Sequence, residues 1–281
     1  MVRYLGIILM MLVSLSGQAK KDKQLVILHT NDTHSTIMPI NVQLPDTMKA
    51  GRAGALRRIA MLKEEREKNP DLLLFDSGDF SQGSAYYTMF KGDVEIGLMN
   101  RMGYDAATIG NHEFDFGIEE MARAFRLATF PIVCANYDFT GTPVEGLVKP
   151  YVIIKRKGVK IGVFGLSPKM EGLVSAKNCV GVKYLDPAKV ALETARILKE
   201  EKKCDVVICI SHLGWNSNRG EDDQYMIRGS RNIDLVLGGH THTYFKQLEY
   251  EKNLDGKAVP VDQNGKHAIF VGKMVMTLHS K

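Results

Sequence analysis

The sequence predicts an α/β fold whose sheets are covered by helices. Short apolar runs rich in β-branched residues, suited to buried strands, alternate with longer segments whose apolar residues recur every three or four positions. No Pro/Gly/Ser-rich linker interrupts residues 20–281, no stretch repeats, and none is of low complexity, so residues 20–281 are expected to form one domain. With 281 residues, 44% hydrophobic and 25% charged, the chain has ordinary globular composition and enough apolar material for a large core.

The first element lies outside that domain. Met1-Val2-Arg3 gives a positive start, Leu5 to Leu15 an apolar run, and Gly17-Gln18-Ala19 a small-residue cleavage signal. Together they read as a secretory signal peptide, residues 1–19, cut after Ala19. The run of eleven residues falls short of the ~18 needed to span a bilayer. An exported location, periplasmic or extracellular, is the expectation.

Strands follow at Leu25–Leu28, Leu72–Phe75, Ala106–Ile109, Pro131–Cys134, Val206–Ile210 and Leu235–Leu237. Helical spacing covers Ala53–Lys68, Gly117–Ala128 and Pro187–Lys203, with Pro187 placed for a first turn. Tyr151–Ile154 and Lys160–Phe164, joined through Lys157-Gly158, read as a β-hairpin. A last apolar strand is expected around Ile269-Phe270-Val271.

Removing residues 1–19 deletes one Arg and no acid, leaving 36 basic and 32 acidic side chains, a net charge of +4. These charges are scattered. A small positive field suits anionic substrates, and the absence of a basic stripe argues against a stable nucleic-acid complex. The four cysteines contain no C-x-x-C, which disfavours a zinc ribbon or redox motif. Buried free thiols are expected, and one disulfide would be compatible with an oxidising compartment.

The chemistry sits at the strand ends. His29-Thr30-Asn31-Asp32-Thr33-His34 follows the first run and Asp76-Ser77-Gly78-Asp79 the second. Gly110-Asn111-His112-Glu113-Phe114-Asp115, Ser211-His212-Leu213-Gly214 and Gly238-Gly239-His240-Thr241-His242 follow three others. Sites in open α/β sheets form at the carboxyl ends of strands, so these segments can converge despite their separation. Six of the eight histidines fall in them.

Aspartate, asparagine and neutral imidazole together suit Mn, Zn, Fe or Co better than a thiolate site or a calcium cage. Asp32 and His34 fall on one side of an extended segment and can share an ion. His240 and His242 have the same spacing. Seven candidates, Asp32, His34, Asp79, Asn111, His212, His240 and His242, overfill one catalytic ion with an open position. Two ions ~3.5–4 Å apart with a bridging carboxylate absorb them. Asp79 is the natural bridge, because Gly78 permits a tight turn before it. His112 is left over, three residues from Asp115, which makes it a general-acid candidate oriented by a carboxylate. Asp and Asn after strands are common turn formers, and that alone accounts for one or two of these residues, not the set.

In this order, Asp32-x-His34, Gly78-Asp79, Gly110-Asn111-His112-Glu113, Ser211-His212 and Gly239-His240-x-His242 resemble the calcineurin-like metallophosphoesterases. Asn31-Asp32-Thr33-His34, Asn111-His112-Glu113-Phe114-Asp115 and Gly239-His240-Thr241-His242 are most similar to the 5′-nucleotidase branch. The resemblance covers residues 25 to 275. It implies a four-layer α/β/β/α sandwich. It implies that Asp32, His34, Asp79 and His242 hold one metal, and that Asp79, Asn111, His212 and His240 hold the other. It also implies that His112, paired with Asp115, stabilises phosphoryl oxygens and protonates the leaving group while metal-bound hydroxide attacks phosphorus in line. The substrate it implies is a nucleotide or similar small organophosphate, with phosphodiesters such as cyclic nucleotides as the rival class. A non-catalytic metal-binding role is disfavoured by the intact His112 and full ligand set. Exported members of that branch carry a second, C-terminal domain that clamps the nucleoside. This chain ends at Lys281, so a separate polypeptide is expected to supply that part, or the substrate is held differently.

The remaining polar and aromatic residues have plainer readings. His29 is expected to pack within its strand, Glu113 to make a structural hydrogen bond, and His267 and His279 to lie at the surface. Trp215 and Tyr244 are placed either to flank substrate or to pack at the rim. Arg52 could reach a phosphate, or simply open a helix.

Overall fold

The computed structural model describes residues 22–217 and 220–279, so the expected signal peptide lies outside the described residues. The chain runs β1 (Lys23–Thr30), α1 (Ala55–Lys68), β2 (Leu73–Asp76), α2 (Ala85–Phe90), α3 (Asp93–Met102), β3 (Ala106–Ala107) and α4 (Ile118–Phe125). Then come β4 (Ile132–Val133), β5 (Tyr137–Asp138), β6 (Val148–Lys149), β7 (Tyr151–Arg156), β8 (Val159–Leu166) and β9 (Lys183–Tyr184). The rest is α5 (Pro187–Arg196), β10 (Val206–Ser211), α6 (Asp223–Arg228), β11 (Leu235–Leu237), β12 (Glu249–Lys252), β13 (Ala258–Asp262) and β14 (Gly272–Leu278).

Two six-stranded sheets form, ordered β14-β1-β2-β3-β4-β6 and β12-β13-β11-β10-β8-β7. β1, β2, β3 and β4 are parallel to one another, as are β8, β10 and β11. Alternation along β1 shows how the layers stack. Leu25 and Ile27 face the other sheet and meet Ile161, Val163, Ile208 and Leu237, while Val26 and Leu28 face Leu62 and Ile96 on the helical side. Leu198, Val207, Cys209 and Met226 build the matching core between the second sheet and its helices. The result is an α/β/β/α sandwich. Strands buried on both faces explain why the apolar runs are continuous rather than alternating.

Local signals account for most boundaries. Lys157 (φ 49°) and Gly158 (φ 69°) give the hairpin between β7 and β8 the two left-handed residues of a type I′ turn. Asp186 accepts a hydrogen bond from the Lys189 backbone N–H (3.0 Å) ahead of Pro187, starting α5. That helix ends at Arg196, and a π-turn over Ile197–Glu201 replaces the rest of the expected segment. There Leu198 is fully buried against Gly162, where a Cβ would lie 2.9 Å from Leu198 Cδ2. β3 is shorter than expected, although the Thr108 N–H still reaches Asp76 O at 3.0 Å. The strand expected around Ile269–Val271 is corrected: those residues form a turn, and pairing with β1 begins at Gly272. All four cysteines are free, three of them buried. Among the described residues no helix is long and apolar enough to cross a membrane.

α6 opens with a testable feature. Asp222 caps it, accepting from the Tyr225 N–H (2.9 Å), and places Asp223 fully in the core, where neither carboxylate oxygen has a formed hydrogen bond. Burial pushes the Asp223 carboxyl up to about 7, with nearby Ser211 and His212 offsetting in part and Asp222 adding to the rise. The folded chain therefore holds this proton from the ordinary carboxyl range up to about pH 7, whereas the unfolded chain releases it near pH 4. Stability from this group is lost as pH rises through that window. Asp223→Asn should be more stable than the parent at pH 8, by up to ~4 kcal/mol, and show little advantage at pH 4. Thermal melts in chelator check it. An offset equal at both pH values would exclude the carboxyl as its source.

Candidate metal centre

Five loops meet at the carboxyl ends of β1, β2, β3, β10 and β11, across the seam between the sheets. Backbone pairing continues past β1 and β2: Asp32 N–H reaches Gly78 O (3.0 Å), His34 N–H reaches Asp79 O (2.9 Å) and Ser35 N–H reaches Phe80 O (3.0 Å). Ser77 ties the sheets together, its hydroxyl donating to Leu237 O (2.8 Å) and its carbonyl accepting from His212 Nδ1 (2.6 Å).

The ligand loops are not extended. Asp32 (φ 48°), His34 (φ 42°), Asp79 (φ 54°), His240 (φ 73°) and His242 (φ 55°) all adopt left-handed backbone conformations. This corrects the expectation that Asp32 and His34 share one side of an extended segment; two left-handed turns aim them instead. Such residues cost ~1–3 kcal/mol each and persist where surrounding structure enforces them. Glycines make room: at Gly78 (φ 87°) a Cβ would lie 2.7 Å from Gly110 N and 2.9 Å from His212 Nδ1. At Gly239 it would lie 2.9 Å from His212 Nδ1.

The acids and imidazoles converge in three overlapping groups, Asp32–His34–His242, His34–Asp79–His112 and Asp79–His212–His240, each with ligand atoms within 4.8 Å of one another. His34 Nε2 and His242 Nε2 face each other at 3.0 Å, and Asp32 Oδ1 lies 3.8 and 3.3 Å from them. His212 Nε2 lies 3.0 Å from Asp79 Oδ2 and 3.8 Å from Asp32 Oδ1. Asp79 Oδ1 accepts from the His112 backbone N–H (2.9 Å), and Asp32 accepts from the His240 backbone N–H (2.9 Å). Asn111 stands beside this group with a buried Oδ1 that has no hydrogen-bond partner. Glu113 accepts from three backbone N–H groups, of Asp79 (3.0 Å), Ser81 (3.0 Å) and Gly110 (2.6 Å), and so locks two of the loops together.

Protonation fits a cation site. Burial lowers the pKa of His34 and brings His240 to about 4, which leaves neutral rings with free lone pairs. Burial also disfavours charge on His212, but the Asp79 and Asp32 carboxylates overcome it and raise the ring to about 10. The Asp79 carboxyl is held well below its usual range because His212 outweighs the opposing effect of burial. A proton on His212 Nε2 thus stands where a cation would, and a metal would displace it. His212 Nδ1–H is already committed to Ser77 O, the arrangement that orients a metal-binding imidazole. Facing Nε2 atoms, an orphaned Asn111 Oδ1 and two buried carboxylates are a donor set that fits divalent ions.

His112 lies at the edge of the group, half-exposed, with Nδ1 3.0 Å from Asp115 Oδ2. Burial works against a charged ring here, but the Asp115 hydrogen bond and the Asp79 charge prevail and raise its pKa.

The nine site residues read from the sequence therefore share one locus. Other candidates do not join it. Trp215 packs edge-on against Phe245, Tyr244 stacks on Phe270 at 4.2 Å, and Arg52 lines a separate cavity. His29 is buried with Nε2 2.8 Å from Asp262 Oδ2, and His279 is exposed beside Asp22. His267 is corrected from a surface residue to a neighbour of the site. Its ring stands T-shaped to His34 at 5.8 Å, Nδ1 is 2.9 Å from Thr36 Oγ1, and its backbone N–H donates to Asp32 O (2.7 Å). No strand-end pattern marks it; Gly265 shortly before was the available signal.

Residues 25–244 match the model of the calcineurin-like phosphoesterases. The chain belongs to this family. It is 32% identical to rat 5′-nucleotidase over 262 residues, covering 89% of this chain and 42% of that one. It is 29% identical to the trifunctional nucleotide phosphoesterase protein YfkN of Bacillus subtilis over an alignment of 289 positions, covering 92% of this chain and 18% of that one. Among solved structures, the 5′-nucleotidase precursor from Thermus thermophilus superposes with a TM-score of 0.81 at 29% identity, covering 90% of this chain and 51% of that one. This phosphoesterase thus spans under half the length of those two curated relatives.

Proposed function

We propose that this phosphoesterase is exported and hydrolyses phosphate monoesters, nucleoside monophosphates foremost, at a centre for two divalent ions. The observation that carries the reading is Asp79, shared between two imidazole groups beside the His112–Asp115 pair. Asp32, His34, Asp79 and His242 would hold one ion, and Asp79, Asn111, His212 and His240 the other. Mn, Zn, Fe or Co suit these donors. When bound, such ions polarise phosphoryl oxygens and acidify a water to near neutrality.

The protein's own groups do the rest. Asp79 and Asp32 supply the negative charge that retains the cations. His112, its Nδ1 held by Asp115, presents Nε2–H to the leaving-group oxygen and gives up that proton as the ester bond breaks. The similarity to 5′-nucleotidases supports a nucleotide substrate. The relative described as a trifunctional nucleotide phosphoesterase keeps phosphodiester cleavage as a second reading.

A substrate panel on the mature chain, stripped by chelator and reloaded with each metal, decides between them. Phosphate release from nucleoside monophosphates should exceed cleavage of bis-p-nitrophenyl phosphate. The reverse preference would make the protein a diesterase, and no metal-dependent release from either would end the phosphoesterase assignment.

A further inference from the structure

A cavity with a volume of about 490 Å³ lies apart from the metal centre, between α1 and the turn before β14. That size is typical of small-molecule sites. Met61, Ile269 and Phe270 give it apolar walls, while Arg52, Arg57, Arg58 and Lys273 surround it with positive charge. Its one acid, Glu65, is already engaged by Lys273 at 2.6 Å and Lys68 at 4.0 Å. None of the three arginines has an ion pair among the described residues.

The local helix chemistry makes the imbalance sharper. α1 starts at Gly54 without a side-chain cap and without an acid in its first turn. Arg57 and Arg58 sit in that turn instead, against the positive end of the helix dipole, an arrangement that repels itself unless an anion intervenes. Arg58 is only 9% exposed, and its Nε has no hydrogen-bond partner. Arg58 also lies near Asp76 and Tyr104. Arg52 and Arg57 are exposed at the mouth, and Arg57 donates from its guanidinium to the Gly51 carbonyl.

We propose that this cavity binds a small organic anion with an aromatic or aliphatic body, its acidic group between Arg52 and Arg57 and its body against Met61 and Ile269. The ligand is amphipathic because the site is: inorganic phosphate would leave the apolar walls wet, and a neutral hydrophobe would leave the arginines uncompensated.

Fluorescence titration with 1-anilinonaphthalene-8-sulfonate tests it on the folded chain, with the uncharged N-phenyl-1-naphthylamine as control. One equivalent of the sulfonate should bind saturably, and the uncharged probe about tenfold more weakly or worse. Two independent variants, Arg52→Glu with Arg57→Glu and the cavity-filling Ile269→Trp, should each weaken sulfonate binding by about tenfold or more. Near-ultraviolet circular dichroism establishes that both remain folded, and either variant suffices for the comparison. Absence of saturable binding, equal affinity in the folded variants, or equally tight binding of the uncharged probe would each overturn the proposal.

Discussion

Replacing His112 by alanine is expected to lower turnover by ~10²–10⁴-fold while leaving metal content at the parental level. The separation follows from which atoms His112 uses. Its backbone N–H, not its ring, donates to Asp79 Oδ1, and alanine keeps that hydrogen bond. The ring contributes Nε2, with Nδ1 fixed on Asp115. A lost proton donor hurts most when the leaving group is a poor one. The deficit should therefore be large for an alkyl ester such as a nucleoside monophosphate and small for p-nitrophenyl phosphate, whose phenolate leaves unaided. The alkaline fall in rate should also go, since a donor is active only below its pKa, and the Asp115 and Asp79 partners raise that value in the parent. Metal analysis and the two substrates together check this. If the variant lost an ion, His112 would be a ligand, consistent with its proximity to His34 and Asp79. If both esters slowed equally, proton donation would not be its part.

Much of this centre was legible because two independent regularities coincide. Buried parallel strands announce themselves as unbroken apolar runs, and the sheet's directionality places whatever follows them at one edge. Residue types that bind cations, recurring there, point to a single pocket before any geometry is known. Backbone conformation was less legible. Glycine at 78 advertises a left-handed turn, but Asp32 and His34 adopt one without such a marker, held by hydrogen bonds to Gly78 and Asp79 far away in sequence. His267 illustrates a second blind spot. It reaches His34 from the turn between β13 and β14, where Gly265 marks a turn but does not say that the turn folds onto the site. α2 was hidden for a further reason: Tyr86, Met89 and Phe90 are exposed, so its apolar residues do not trace a buried stripe.

Asp79 is where the largest loss is expected. Asp79→Ala should retain at most one ion after dialysis and fall to background activity, because its carboxylate belongs to groups on both sides. The same change strands His212, whose raised pKa depends on Asp79 first among its partners, and removes the acceptor for the His112 N–H. Breaking a buried pair of this kind costs ~3–5 kcal/mol, so poor folding could imitate metal loss. Asp79→Asn separates the two effects. It keeps the shape and an oxygen for the His112 N–H but gives up the charge, and it should fold while binding metal more weakly. Metal addition should then raise the melting temperature of the parent far more than that of the Asn variant. His242→Ala provides the contrast, since it faces only the Asp32–His34 side and should leave the opposite ion in place. Two ions retained at parental affinity in folded Asp79→Asn and Asp79→Ala alike would remove this carboxylate from between them.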